Sequence, residues 1–170
     1  MDGEGQPGAV KVDVHAAALD LAYRYIGARE RTVAEVQARL ARAGFESAQV
    51  GDAVEELRAL GCLDDARYAR LFAADKRLLE QWGTERIERE LVRRGVDRES
   101  IDAALCEPEG RERELERAVG LVGRRWDGRP WDRRERDRAL GVLLRKGYDS
   151  ELALRAIEAV VAREGTRTGS

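Results

Sequence analysis

Three glycines, Gly44, Gly95 and Gly147, stand 51 and 52 residues apart and share their surroundings. Four residues before each is a leucine: Leu40, Leu91 or Leu143. Two before is an arginine: Arg42, Arg93 or Arg145. One after is Phe45, Val96 or Tyr148, and six after is Val50, Ile101 or Ala153. Glycine enters the left-handed conformation without steric cost, so it stops a helix, and an apolar residue just beyond it packs back on the last turn. A helix stop recurring at this period constrains the chain to tandem units, because each unit alone buries too little surface. The expected architecture is all-α: three tandem three-helix repeats of about 50 residues forming an elongated, curved array.

Apolar periodicity sets the expected divisions: a disordered N-terminal tail (1–14), repeats over 15–61, 62–107 and 108–164, and a disordered C-terminal tail (165–170). In the first repeat, Leu19, Tyr23 and Ile26 share a helix face. Thr32 and Glu35 form a capping box ahead of Val33, Val36 and Leu40. Val50, Val54, Leu57 and the nearby Leu60 point inward on the third helix. In the second repeat, Asp64 or Asp65 caps a helix that buries Tyr68, Leu71, Phe72 and Leu79. Trp82-Gly83-Thr84 breaks the pattern, with Thr84 as N-cap, and Ile87 and Leu91 point inward beyond it. Asp97 caps a helix carrying Ile101, Ala104 and Leu105. The third repeat follows Pro108-Glu109-Gly110. It presents Leu115, Val119 and Val122, the loop Asp127-Gly128-Arg129-Pro130, a capping pattern at Asp132 and Glu135, then Leu140, Leu143 and Leu144. Asp149 caps a last helix with Ala153, Ala156, Ile157, Val160 and Val161.

Composition narrows the function. Charged residues reach 38%, against about 25% in an average domain, yet 31 basic residues face 33 acidic ones for a net charge of −2. That balance argues against non-specific coating of DNA as the main activity. Cys62 and Cys106 have no metal-ligand spacing and read as small apolar residues in a reducing compartment. No run of about 18 apolar residues suggests a membrane span, and residues 1–10 lack the basic and apolar regions of a signal peptide. A soluble, cytoplasmic, monomeric protein is expected, with no membrane partner.

The inventory for catalysis is poor. One histidine, His15, sits at the start of the first helix; Ser47, Ser100 and Ser150 lie near helix starts and Ser170 near the chain end. No Ser-His-Asp or Cys-His set has a mechanism behind it, and the glycines sit singly rather than in a phosphate loop. No enzyme activity, cofactor or metal is expected. Asp64 and Asp65 read as a helix start, where carboxylates meet the positive helix end. Arg86, Arg89 and Arg93 fall at i, i+3 and i+7 and make one helix face basic; with Arg42 and Arg145 they form a candidate partner-binding face. A plain solvated helix, with Glu88 and i,i+4 pairs, fits the same residues. Between Arg111 and Arg138 ten arginines face seven acidic residues, a modest basic bias. Trp82, Trp126 and Trp131, at helix junctions, read as wedges between helices rather than as a base-stacking platform.

Gly61-Cys62-Leu63-Asp64-Asp65-Ala66-Arg67-Tyr68-Ala69, then Trp82-Gly83-Thr84-Glu85-Arg86-Ile87 and Glu90-Leu91 to Gly95-Val96, resembles the central signature of the RecX regulatory proteins. Ala18-Leu19, Arg29 to Arg31, and Glu35 to Gly44-Phe45 resemble that family's first repeat. Trp131 and Leu143-Leu144-Arg145-Lys146-Gly147-Tyr148 resemble its third. Trp82 occupies a variable position of the signature and Thr32 one where serine is commoner; both keep the physical role. The resemblance implies a non-enzymatic protein that binds the RecA recombinase filament on single-stranded DNA and restrains its ATP hydrolysis, strand exchange and coprotease activity. It leaves room for weak direct binding to single- or double-stranded DNA. Two other readings stand beside it: a DNA-binding protein with helix-turn-helix-like units, and a general helical-repeat scaffold.

Overall fold

The computed structural model describes residues 13–106 and 110–167, with side chains as far as residue 165. Most of the expected N-terminal tail (1–12), the repeat boundary at 107–109 and residues 168–170 lie outside the described residues. All regular structure among the described residues is helical. In order these are α1 (Val14–Gly27), α2 (Val33–Arg42), α3 (Ser47–Ala59), α4 (Asp65–Leu79), α5 (Thr84–Arg93), α6 (Arg98–Leu105), α7 (Gly110–Trp126), α8 (Arg133–Lys146) and α9 (Ser150–Arg167). The last helix thus runs through Gly165 to Arg167, into the stretch expected to be tail.

The chain divides into two compact units, 1–64 and 65–170. In the first, α1, α2 and α3 pack mutually around Ala18, Ala22, Val36, Leu40, Ala53, Val54 and Leu57. The second unit holds two three-helix groups with separate cores. Helices α4–α6 enclose Tyr68, Ala69, Ala73, Ile87, Leu91 and Ile101. Helices α7–α9 enclose Val122, Trp126, Ala139, Leu143, Tyr148 and Leu152. The architecture is therefore all-α and built of tandem three-helix repeats.

The repeated glycines act as the sequence implies. Gly44, Gly95 and Gly147 have φ of 94°, 76° and 89°. The N–H after each donates to the carbonyl of the repeated leucine: Phe45 to Leu40 (3.4 Å), Val96 to Leu91 (3.2 Å) and Tyr148 to Leu143 (3.2 Å). This is the Schellman closure, and it satisfies carbonyls that would otherwise be orphaned at a helix end. Gly61 ends α3 similarly, with Cys62 and Leu63 both donating to Leu57. That turn folds Leu63 back into the first core at 3% exposure, so Leu63 packs with the first repeat rather than the second.

Some residues expected to point inward lie outside, although Leu19, Tyr68 and Leu143 face their cores as expected. Tyr23, Leu60, Leu71, Leu79 and Leu144 are 40%, 59%, 51%, 75% and 42% exposed. In α1 the fully buried positions are Ala18 and Ala22, and in α4 the fully buried Ala69 and Ala73 share the interior with Tyr68. Periodicity weights large side chains; close helix packing selects small ones wherever backbones approach. Leu60 lies outside because it is the C-cap of α3, beyond the amphipathic stripe. Caps at Asp97 and Asp132 and the Thr32–Glu35 capping box form as expected. The Asp149 carboxylate accepts from the Leu152 N–H at 2.9 Å.

Candidate partner-binding surface

Helix α5 carries the candidate face, and its start departs from the expected cap. The N-cap is Gly83, in extended conformation (φ −77°, ψ 165°) and without a side-chain capping bond; Thr84 is already helical. The first N–H groups are satisfied from the third repeat instead. Gly83 donates to the Lys146 carbonyl at 2.8 Å and Glu85 to the Gly147 carbonyl at 3.1 Å. The Thr84 N–H donates to the Glu114 carboxylate at 2.7 Å. The positive end of α5 therefore abuts the negative end of α8, a favourable dipole alignment.

Side chains lock this head-to-tail junction. The Lys146 ammonium donates to the Glu80 carbonyl at 2.5 Å, and the Tyr148 hydroxyl to the Gln81 carbonyl at 3.2 Å. The Arg86 guanidinium donates to the Arg145 carbonyl at 3.1 Å. Two glycines make the approach possible. A Cβ on Gly83 would overlap the Gly147 carbonyl and stand 2.5 Å from the Tyr148 nitrogen; one on Gly147 would overlap the Arg86 Cβ and stand 2.5 Å from the Arg86 nitrogen. Sequence reasoning missed this junction. The available signal was a glycine, rather than a capping side chain, just ahead of Thr84.

The candidate residues separate accordingly. Arg86 is half-buried and stacks on Trp82, 4.1 Å from the ring centroid, with the Lys76 ammonium 4.8 Å from the same ring. It belongs to the junction as much as to the surface. Arg89 is exposed, its Nε–H turned back to the Glu85 carbonyl at 3.2 Å. Arg93 is exposed and forks onto both oxygens of Glu90 at 2.9 and 2.6 Å, while Arg94 adds a bond to Glu90 at 2.9 Å. Hydrogen bonding from Arg93 is the main reason the Glu90 carboxyl lies below its ordinary value; burial opposes it, and the Arg94 hydrogen bond adds to the lowering. Glu88 is drawn away to Arg98 on α6 at 2.5 Å. Arg145 is exposed at the end of α8, and Arg42 is exposed on the first unit, its Nε–H on the Ala38 carbonyl.

The remaining motif residues are structural in position. Asp65 lies in the first turn of α4 and Asp64 just before it. Tyr68, Ile87 and Leu91 are 6%, 0% and 0% exposed. Tyr68 accepts from Arg94 at 2.9 Å and stacks on Phe72, with ring centroids 6.0 Å apart. Trp126 and Trp131 stack at 6.0 Å, wedged where α7 meets α8.

Burial pushes the Tyr148 phenol from 10.0 up to about 12. Its folded value lies above its unfolded value, so this contribution to stability is fully present below pH 10 and falls as pH rises toward 12. Alkaline absorbance titration should show a late tyrosine ionisation that the Tyr148→Phe variant lacks. Identical titration curves for the two proteins would refute the assignment.

No group of three His, Cys, Asp or Glu side chains able to hold a metal ion occurs among the described residues. No described helix is long and apolar enough to cross a membrane. Two family models match the chain: the first three-helix domain of RecX over residues 18–57 and the second over residues 64–105. Regulatory protein RecX of Trichlorobacter lovleyi is 37% identical over 161 residues, covering 93% of this chain and 99% of that protein. Regulatory protein RecX of Mycolicibacterium vanbaalenii is 34% identical over 156 residues, covering 86% and 84%. A crystal structure of RecX from Lactobacillus salivarius superposes with a TM-score of 0.78 at 20% identity, covering 88% of this chain and 98% of that one. A crystal structure of another regulatory protein RecX gives 0.71 at 23% identity, covering 89% and 78%. At these identities the two solved structures establish the fold.

Proposed function

The chain belongs to the RecX family, and from that premise we propose that it is a non-enzymatic cytoplasmic regulator that binds RecA filaments on single-stranded DNA. Bound there, it restrains RecA's ATP hydrolysis, strand exchange and coprotease activity. The observation that carries this reading is a relative named Regulatory protein RecX that matches this chain over 99% of its own length. The architecture supports it physically. A protein of repeated units meeting a polymer of repeated subunits gains effective concentration from each contact already made. Arg89 and Arg93 are the contacts α5 would offer, and Arg42 and Arg145 their counterparts in the other repeats. Arg86 serves chiefly to hold the junction from which α5 projects.

Cosedimentation with RecA–single-stranded-DNA filaments tests the reading. The protein should pellet with filaments well beyond its retention on naked DNA, and should slow RecA's DNA-dependent ATP hydrolysis when added below stoichiometric amounts. An unchanged hydrolysis rate at excess protein would sink the proposal. Joint Arg89→Glu and Arg93→Glu substitution leaves the junction intact and should weaken filament retention by about tenfold or more.

A further inference from the structure

The turn between α4 and α5 adopts a conformation that its own residues disfavour. Gln81 has a φ of 54°, and among the described residues it is the one non-glycine residue with positive φ. The other left-handed positions are Gly44, Gly61, Gly95, Gly128 and Gly147, where no side chain opposes the conformation. The Trp82 N–H reaches back to the Lys76 carbonyl at 3.1 Å, a span one residue wider than the closures at Gly44, Gly95 and Gly147. A left-handed L-residue is disfavoured by its own Cβ and persists where surrounding structure fixes it.

Here the surrounding structure is the third repeat. The Glu80 carbonyl accepts from the Lys146 ammonium at 2.5 Å and the Gln81 carbonyl from the Tyr148 hydroxyl at 3.2 Å. The Gly83 N–H donates to the Lys146 carbonyl at 2.8 Å. Thr84, Glu85 and Arg86 add hydrogen bonds to Glu114, Gly147 and Arg145. The apolar cores on the two sides stay separate. The Tyr148 ring belongs to that of α7–α9, and Trp82 packs against that of α4–α6. Cohesion across the junction is therefore mainly polar. Water replaces such bonds at small net loss, whereas it cannot replace a buried apolar contact. Arg86 also keeps a partner on its own side, the Trp82 ring.

We propose that this junction is a latch, which opens as one unit while both three-helix cores remain folded, and that the left-handed turn at Gln81 sets how often it opens. Opening returns Gln81 to an ordinary backbone conformation and exchanges the bonds across the junction for bonds to water. It therefore costs less than unfolding either core. The step is all-or-none, because the closed contact has no room to slide: a Cβ on Gly83 or on Gly147 would overlap backbone of the opposite repeat. Closed, the latch fixes the separation of Arg89 and Arg93 on α5 from Arg145 on α8. It does so whether or not those residues meet RecA.

Native-state hydrogen exchange of the full chain, with no RecA present, tests the latch. The Gly83, Thr84 and Glu85 amides all donate to the third repeat. They should exchange together, about tenfold or more faster than the Leu91 amide within the α4–α6 core. Their rates should change little in low urea, because opening exposes far less surface than unfolding. Gln81→Gly removes the strain of the closed turn and should slow all three about three- to tenfold. Tyr148→Phe removes a bond to the turn and should speed them about fivefold. If that variant loses helicity, Lys146→Met, which removes the bond to Glu80, should act in the same direction. Exchange of the three amides at the Leu91 rate, or with the same urea dependence as Leu91, would show that the repeats part only by unfolding. Faster exchange in Gln81→Gly, or rates indifferent to the changes at Tyr148 and Lys146, would equally overturn the proposal.

Discussion

Gly147→Ala is expected to destabilise the second unit by about 2 to 5 kcal/mol. Two costs combine. A left-handed φ costs an L-residue about 1 to 2 kcal/mol, and Gly147 sits at φ 89°. The added Cβ also enters the backbone of Arg86, and overpacking of this kind typically costs 1 to 3 kcal/mol. Gly44 separates the two, because its φ is 94° but nothing lies within 4 Å of its would-be Cβ. Gly44→Ala should therefore pay only the conformational cost. Gly83→Ala should show the overlap alone, since its φ of −77° is ordinary. Trp82, Trp126 and Trp131 all lie in residues 65–170, so tryptophan fluorescence during urea unfolding reports that unit selectively, and helicity follows the Gly44 variant. Equal losses for Gly44→Ala and Gly147→Ala would show that the junction contributes nothing.

Tyr148→Ala should cost about 3 to 5 kcal/mol, the usual range for removing a buried aromatic. Tyr148 is fully buried and closes the third repeat's Schellman turn. Its hydroxyl also reaches the Gln81 carbonyl in the second repeat, so one side chain serves a core and the junction. Tyr148→Phe isolates the second role and should cost about 1 kcal/mol. If the phenylalanine variant matched the alanine variant, the ring's packing would not be the source of stability. A phenylalanine variant as stable as the parent would remove the hydroxyl from the junction.

Much of the local structure was legible because it depends on neighbours in sequence. Leu40, Leu91 and Leu143 precede their glycines by one helical turn, and Phe45, Val96 and Tyr148 follow at the position that folds back. Thr32 with Glu35 announces a helix start in the same way. Helix orientation was less legible. Leu71 and Leu79 resemble core residues by type, while Ala69 and Ala73 pack beside Tyr68, because the fit between two helices depends on how near their backbones come.

The candidate surface was legible only as a pattern. Arg86, Arg89 and Arg93 share a face by spacing, yet Arg86 is drawn onto Trp82 and the Arg145 carbonyl while Arg93 is held by Glu90. No spacing rule distinguishes these fates, since the deciding atoms lie in other helices. The arginines on and beside α8 are a second case. The local excess of arginine is visible in the chain, but its concave arrangement over Gly141 and Trp126 is not.

By itself, then, the sequence determined an all-helical chain of tandem three-helix repeats, where most helices stop, and membership of a regulatory family. The helices and their stops follow from short-range rules, apolar periodicity, left-handed glycine and side-chain caps; the family follows from the likeness of its motifs to those of RecX proteins. Only the tertiary structure decided that Gly83 rather than Thr84 caps α5, and that Lys146 and Gly147 carbonyls stand where a capping side chain would otherwise be. A backbone N–H is satisfied by whichever acceptor reaches it, and at this junction that acceptor comes from a repeat more than 60 residues further along the chain.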